Sequence, residues 1–373
     1  MNRFTVLSGL MISFSITGIV QAPQPHPPSR AAKPAQYAAK QTSAAPSAAP
    51  MFYQIDFGTP LEGLIGGRGI IYTTSDGGAR WTVSYRGPAA IYAFDFLSGR
   101  TVWALGVKTL LQSRDGGRSW AVVSVNGPSL AQVQFINSRT GYAVRGSGGV
   151  PSLYGGAHGL LATRDGGRHW APVKGLQAVD AISFASPSVG WAATPTELLR
   201  TDNGGRTWTA VRHFRESGTA VAAVSADAAW LLALGPAATG HGPYTLYRVT
   251  DSGRRMAASA ANPYFYPHSP AAKGAPDENL TGWSSRGATA WLIANSPFGS
   301  EQYVWSYSGD GGRRWTFRGP IRGAYLYGSP GAVQPLAIDF PLPNDGWMIQ
   351  NHAGHGELWR STDAGVTWSR TQM

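Results

Sequence analysis

The segment SRDGGRSW at residues 113–120 decides the fold, because close copies of it recur along the whole chain. The copies are SDGGARW (75–81), TRDGGRHW (163–170), TDNGGRTW (201–208), SGDGGRRW (308–315), STDAGVTW (361–368) and a degenerate TDSGRRM (250–256). We call these seven segments the turn motifs. Recurrence of one motif along a chain is the signature of a repeat architecture, so seven motifs predict seven structural units.

A second element precedes each turn motif: a short apolar segment with an aromatic residue, such as VWALG (102–106) or GWAAT (190–194). In five units, a residue that is followed by Phe lies eight positions before a reference residue of this apolar segment (56→64, 95→103, 134→142, 183→191, 339→347). The same count of eight finds Ala222 at this position in unit five and Trp283 in unit six. Short segments bounded by Gly, Asp and Pro indicate four strands, A to D, in each unit. The sequence therefore predicts an all-β protein, a seven-bladed β-propeller of four-stranded blades with the turn motif between strands C and D.

The turn motif predicts a structural role rather than a catalytic one. Its glycines can adopt positive φ, its acidic residue can accept backbone hydrogen bonds in the turn, and its Trp can fill space between blades. The predicted turn acceptors are Asp76, Asp115, Asp165, Asn203, Asp251, Asp310 and Asp363, and the predicted packing residues are Trp81, Trp120, Trp170, Trp208, Trp315 and Trp368. The arginines that follow the glycines (Arg80, Arg118, Arg168, Arg206, Arg313) predict either a basic ring or solvated, turn-paired side chains.

The N-terminus predicts export. Arg3, the apolar run 4–20 and the segment Val20-Gln21-Ala22 resemble a signal peptide with its cleavage site, and an uncleaved anchor is the alternative. Either one places the rest of the chain outside the cytoplasm. We expect residues 1–22 to be this signal, 23–50 a disordered Ala/Pro-rich linker, and 51–373 the propeller. The expected blades are 51–88, 89–127, 128–175, 176–214, 215–262, 280–320 and 330–373.

Composition restricts the function classes. The chain has no cysteine, which excludes disulfides, thiolate metal sites and cysteine nucleophiles. Its 31 basic and 20 acidic residues give a formal net charge of +11. Such an excess favours anionic partners. We expect a monomer that binds a protein, which can be membrane-associated, or an anionic envelope polymer, and we expect no nucleic-acid partner.

Chain-length differences between the units locate a candidate binding face. From strand B to the turn motif there are 12 residues in units one, two and four (64→76, 103→115, 191→203), and more in the others. The extra residues fall in B–C and D–A loops, which emerge on one face, mostly over blades five to seven. Aromatic and histidine side chains on loops of a rigid scaffold are typical of a binding surface. They are Tyr154, His158, His241, Tyr264, Phe265, Tyr266, His268, Phe298, Tyr303, Tyr325, Tyr327, His352 and His355.

Three aspartates share one strand A position. Asp56, Asp95 and Asp339 lie in blades that ring closure makes neighbours, so they can converge near the axis. Backbone donors at the A–B turns would satisfy them, and a small-cation or ligand site is the alternative. The spacing His352-x-x-His355 is too weak a signal to predict a metal. We therefore expect no metal and no cofactor.

The turn motifs and the aromatic segments resemble the Asp-box, or BNR-repeat, β-propeller superfamily. The combination is most similar to the photosystem II stability/assembly factor family, and the sialidase-like propellers are more distant. The closer resemblance implies a seven-bladed propeller that acts without catalysis, as a binding or scaffold module, here through the enlarged loops of blades five to seven. The alternative is a glycoside hydrolase or a carbohydrate- or wall-polymer-binding propeller. Hydrolysis would need a carboxylate pair, for which Asp277, Glu278, Glu301 and Glu357 are available.

Overall fold

The computed structural model describes residues 50–146, 159–214, 217–234, 244–261, 279–295, 303–320, 335–352 and 354–373. The described residues form antiparallel sheets and a single 3-10 turn, Asp251–Gly253. In this part of the chain no helix has the length and apolarity needed to cross a membrane.

The first sheet has six strands in chain order. They are β1 (Phe52–Phe57), β2 (Gly63–Thr74), β3 (Thr82–Phe96), β4 (Val102–Gly106), β5 (Thr109–Ser113) and β6 (Ala121–Val125).

The other five sheets have four strands each. The third-repeat sheet contains β7 (Leu130–Phe135), β8 (Gly141–Arg145), β9 (Leu160–Thr163) and β10 (Ala171–Pro172). The fourth repeat forms β11 (Ala181–Phe184), β12 (Gly190–Ala193), β13 (Glu197–Thr201) and β14 (Thr209–His213). The fifth forms β15 (Ser217–Ala223), β16 (Ala229–Leu234), β17 (Tyr244–Thr250) and β18 (Arg255–Ala261). The sixth forms β19 (Asn279–Arg286), β20 (Thr289–Asn295), β21 (Tyr303–Ser308) and β22 (Thr316–Pro320). The last forms β23 (Pro335–Leu342), β24 (Asp345–His352), β25 (His355–Ser361) and β26 (Ser369–Thr371).

The prediction of seven blades is wrong, because the described sheets form a propeller with six blades. The first two repeats share one sheet. Strand β3 is continuous, and its Thr82–Arg86 half pairs with β2 while its Ile91–Phe96 half pairs with β4. The chain therefore passes from the outer strand of the first repeat to the inner strand of the second without a loop that would separate two sheets.

Aromatic stacking joins neighbouring repeats. A strand B ring of one repeat stacks on a strand A ring of the next: Trp103 on Phe135 with 3.8 Å between centroids, Tyr142 on Phe184 at 5.1 Å, and Trp291 on Phe340 at 4.3 Å. The same contact closes the ring, because Trp347 of the last repeat stacks on Phe57 of the first at 5.9 Å. Pairs of this kind add to the area that they bury and fix the angle between sheets.

Six of the seven turn motifs share one hydrogen-bond pattern, whereas in the fifth Asp251 lies in the 3-10 turn and Thr250 makes no side-chain capping bond. In the second repeat, the Ser113 hydroxyl donates to Asp115 Oδ1 at 2.8 Å and accepts the Gly117 amide at 2.8 Å. Asp115 Oδ1 also accepts the Ser119 amide at 2.9 Å. Gly117 has φ of 88°, and a Cβ there would lie 2.5 Å from Leu64 of the first repeat. Glycine is therefore needed both for the turn and for the close approach of the neighbouring repeat.

The acceptor position of the turn motif yields a first prediction. Asp115→Ala leaves the Ser119 amide and the Ser113 hydroxyl without their acceptor, so we expect a loss of about 1–3 kcal/mol in the free energy of unfolding. Asp115→Asn keeps an acceptor oxygen. Asn203 makes the equivalent bonds to Thr201 and Thr207 in the fourth repeat, so this variant should remain within about 0.5 kcal/mol of the parent. Urea unfolding of both variants tests the pattern, and equal losses would contradict it.

Candidate functional site

Side chains at one strand A position bond four of the repeats to the next repeat in the ring. Asp95 Oδ2 accepts the Phe135 amide at 2.6 Å, and Asp339 Oδ2 accepts the Phe57 amide across the ring closure at 2.7 Å. Polar residues replace aspartate in between: Gln134 accepts from the Phe184 amide at 2.8 Å, and Ser183 from the Ala223 amide at 2.9 Å. The aspartates thus join a series of inter-repeat hydrogen bonds around the axis.

Asp56 lies beside two of these carboxylates but does not share their bonding. It is 2% exposed, and its Oδ2 has no hydrogen-bond partner. Burial raises the pKa of Asp56 well above its ordinary value, and the charges of Asp339 and Asp95 raise it further while Arg286 opposes them. We call Asp56, Asp95, Asp339 and Arg286 the axial cluster. The structure therefore brings together the three aspartates that the sequence placed at one position.

Arg286 was missed by sequence reasoning. Its Nη2 donates to the Phe57 carbonyl at 3.0 Å and lies 3.4 Å from Asp339 Oδ2, and its Nε donates to the Phe340 carbonyl at 3.0 Å. Counting back eight residues from Trp291 gave Trp283, but the structure pairs Ser284 with Trp291 because this A–B hairpin is one residue shorter. Arg286 ends the first strand of this shortened hairpin, next to the turn. A sequence search for charged residues at the A–B turns could have located it.

The axial cluster predicts a dependence of stability on pH. Burial raises the pKa of Asp95 from 3.8 to about 7. The folded state therefore keeps a proton that the unfolded state releases, and the free energy of unfolding falls as pH rises between these two values. Their difference corresponds to a loss of about 4 kcal/mol at most. Burial also raises the pKa of Asp180 to about 7, so Asp180 acts in the same direction.

Asp95→Asn should remove part of this dependence. The amide oxygen can still accept the Phe135 amide, but no charge is buried above pH 7. We expect the variant to match the parent at pH 4 and to be more stable by a few kcal/mol at pH 8, measured by urea unfolding. Asp202→Asn, at an exposed aspartate, is the control. If the free energy of unfolding changes with pH to the same extent in the parent and in Asp95→Asn, Asp95 does not titrate between pH 4 and pH 8.

No group of three or more His, Asp or Glu side chains within the described ranges is arranged to hold a metal ion, and this includes the axial aspartates.

A cleft of about 570 Å³ lies between the third and fourth repeats, on the face that carries the turn motifs. Its walls include Trp170, Pro172 and Val173 from the third repeat, and Arg206 from the fourth. Arg164, Asp165, Ala162 and the buried Tyr142 also line it. Sequence reasoning placed Trp170 and Arg206 in the turn motifs but did not bring them together.

The predicted binding face falls mostly outside the described residues. Its members there are Tyr154, His158, His241, Tyr264, Phe265, Tyr266, His268, Phe298, Tyr325 and Tyr327. Tyr303 begins β21, and His352 pairs with His355 across the β24–β25 hairpin, where His355 is exposed. The binding face therefore stays a prediction.

Of the four acidic residues considered for hydrolysis, the structure describes one. Asp277, Glu278 and Glu301 lie outside the described residues. Glu357 is buried on β25 and forms an ion pair with Arg370 of β26 at 3.3 Å. Glu357 can therefore be buried because its charge is paired with an arginine on the neighbouring strand.

Comparisons with known proteins agree on the architecture. No protein-family model matches the chain, and no curated protein matches it. Among solved structures, the chain is similar to YCF48 bound to a D1 peptide, with a TM-score of 0.52, 14% identity, and coverage of 84% of this chain and 94% of that one. It is also similar to the GH74 xyloglucanase of Xanthomonas campestris, with a TM-score of 0.57, 16% identity and 88% of this chain covered.

The match spans 55% of the xyloglucanase chain. A manganese-bound oligogalacturonate lyase matches at a TM-score of 0.53 and 11% identity, over 85% of this chain and 90% of that one. At these identities the likeness shows the fold alone, and the three proteins differ in what they do. The chain is a β-propeller.

Proposed function

We propose that this chain is a non-catalytic, extracytoplasmic binding module that presents charged turns to a protein partner. The turn motifs are, in this proposal, Asp boxes with a structural role. The single observation that carries the proposal is the face of exposed arginines on a scaffold held by inter-repeat bonds.

The arginine-bearing face is built by the A–B turns and the turn motifs. Its exposed arginines are Arg80, Arg100, Arg114, Arg118, Arg139, Arg164, Arg168, Arg206, Arg254, Arg255, Arg313 and Arg314. The turn aspartates beside them are engaged by backbone donors. For example, the Arg80 amide donates to Asp76 Oδ1 at 2.9 Å and lowers the pKa of Asp76. Guanidinium groups on rigid turns suit recognition of carboxylates, because their donors form a planar fork.

The similarity in fold to YCF48 bound to a D1 peptide supports a protein partner. The sequence predicts a second contact region, on the opposite face, in the enlarged loops of the later repeats. The export signal over residues 1–22 supports a location outside the cytoplasm, with the chain either released or held at the membrane.

Capture of partners tests this proposal. The tagged full chain, cross-linked in the envelope of its own cells, should recover a discrete protein, and membrane proteins are the expected class. Recovery should weaken but persist between 50 and 200 mM salt. A guanidinium and a carboxylate in contact are closer together than the Debye length, which is about 8–10 Å at 0.10–0.15 M ionic strength, so they are only partly screened. Recovery of wall polymer alone, lost at the higher salt, would replace the protein partner with an anionic polymer.

Enzyme assays test the non-catalytic part of the proposal. We expect the purified chain to leave a panel of fluorogenic glycosides unhydrolysed. Turnover that disappears in Glu301→Gln or Glu357→Gln, with circular dichroism showing that each variant is folded, would show a hydrolase and overturn the proposal.

A further inference from the structure

The residue opposite the strand B aromatic is large in every comparable repeat except the third. Cross-strand pairing places a long or aromatic side chain there: Gln112 opposite Trp103, Arg200 opposite Trp191, Arg248 opposite Trp230, Tyr307 opposite Trp291, and Arg360 opposite Trp347. In the third repeat, Ala162 pairs with Tyr142. The chain thus departs from its own pattern at one position.

The large residues cover the strand B ring where their contacts are described. The Arg360 guanidinium carbon lies 5.0 Å from the centroid of the Trp347 ring, and the Arg200 carbon lies 5.5 Å from that of Trp191. The methyl group of Ala162 is too short to fill the same space. The cleft of about 570 Å³ lies at this position, within the range of about 300–1,000 Å³ for ligand pockets.

Two guanidinium groups at the cleft have no carboxylate partner. Arg164 and Arg206 are exposed, and in the part of the chain that the structure describes neither forms an ion pair. Both lie near the Tyr142 hydroxyl: burial raises the pKa of Tyr142, and the charges of Arg164 and Arg206 lower it.

The acidic side chains of the two turn motifs at the cleft already have other partners, although the charge of Asp165 itself remains at the cleft. The third-repeat acceptor, Asp165, is occupied by the Arg168 and His169 amides at 3.0 Å each, by the Thr163 hydroxyl at 2.8 Å, and by His169 Nδ1 at 2.6 Å. The fourth repeat has Asn203 at the acceptor position, where the other six motifs have aspartate, and the carboxylate of Asp202 in the same motif pairs with Arg200 at 2.6 Å rather than with Arg206. The cleft therefore combines a local excess of positive charge with an apolar wall.

We infer that this cleft binds a carboxylate side chain of an acidic segment of a partner protein, an inference that rests on the proposed protein-binding function. The carboxylate lies between Arg164 and Arg206, where either fork can donate two parallel hydrogen bonds. The apolar residue next to it packs on Trp170, Pro172 and Val173. An acidic residue flanked by apolar ones matches both parts of the cleft.

Calorimetric titration of the full chain tests the inference. The probe is a capped peptide, Ala-Leu-Glu-Phe-Ala, and its counterpart with Gln in place of Glu, at 50 mM salt. We expect the Gln peptide to bind at least about tenfold more weakly, because it loses the charge-assisted bonds. Ala162→Gln, which installs the residue of the second repeat, and the double variant Arg164→Gln/Arg206→Gln should each weaken the Glu peptide by about tenfold or more.

The matched control is Arg86→Gln/Arg145→Gln, which removes two exposed arginines of β3 and β8 that neither line the cleft nor belong to the arginine-bearing face. It should retain parent affinity. If the control loses as much affinity as Arg164→Gln/Arg206→Gln, or if Ala162→Gln binds as the parent does, the cleft is not the site and the inference fails. Galacturonate that binds more tightly than the Glu peptide and competes with it would assign the cleft to acidic sugars and overturn the protein ligand.

Partner capture separates the two proposals. If Ala162→Gln still captures the envelope partner at the parent level, the inference fails while the protein-binding function stands. If the parent binds the Glu peptide in the cleft but captures no envelope protein, the proposed function fails while the carboxylate chemistry of the cleft stands.

Discussion

Trp347→Ala should lower the free energy of unfolding by about 3–5 kcal/mol, the usual cost of removing a buried Trp. Trp347 is fully buried, stacks on Phe57 and meets Trp81 edge to face at 5.9 Å. It also packs against Gly78, where a Cβ would lie 2.2 Å from its ring. All these contacts cross the closure between the first and last repeats, so the cavity would open where only non-covalent contacts hold the ring.

Urea unfolding measures the loss, and hydrogen exchange locates it. We expect the amides of β1 to lose protection first, because β1 depends on the last repeat through two bonds of 2.8 Å between Phe52 and Asn351 as well as through Trp347. Trp103→Ala, at an equally buried ring between the second and third repeats, is the matched control. It should cost a similar amount but expose amides of β4 and β7 instead. Loss of β1 protection in both variants would show that the closure is not a separate weak point.

Arg286→Met should cost about 3 kcal/mol near pH 7, toward the lower end for breaking a buried ion pair because Arg286 is partly exposed. The variant removes the hydrogen bonds that Arg286 donates to the carbonyls of Phe57 and Phe340. It also removes a cation that opposes the charges of Asp56 and Asp339, whose pKa values burial raises. The loss should shrink at pH 4, where protonated carboxyl groups no longer need a counter-charge.

Arg100→Met, at an exposed arginine of the second A–B turn, is the control and should change stability by less than about 0.5 kcal/mol. Denaturant unfolding at pH 4 and pH 7 gives both comparisons. A loss in Arg286→Met that is the same at the two pH values would mean that the carbonyl contacts matter and the carboxylates do not.

Local features were accessible from the sequence because they depend on residues close along the chain. The turn-motif bonds span at most four residues, as from Asp115 Oδ1 to the Ser119 amide. The spacing of eight likewise corresponds to cross-strand pairs in the structure, such as Asp95 with Trp103 and Ser183 with Trp191. A short hairpin imposes both the spacing and the pairing.

The number of blades was not accessible in the same way. Seven turn motifs count repeats, whereas a sheet is defined by which strands bond to one another. Residues 82–96 have no Gly/Asp-rich loop long enough to end one strand and begin another, and the structure continues them as β3. Counting motifs could not show that one strand serves two repeats.

The sequence by itself determined an all-β repeat protein, the chemistry of its turns and the shared strand A position of Asp56, Asp95 and Asp339. Only the tertiary structure decided the six blades, the place of Arg286 in the axial cluster, and the cleft between Arg164 and Arg206. The physical reason is the separation along the chain of the residues that determine each feature. Turn geometry follows from neighbours along the chain, but a cluster or a cleft depends on side chains of different repeats, whose approach is set by how the sheets pack.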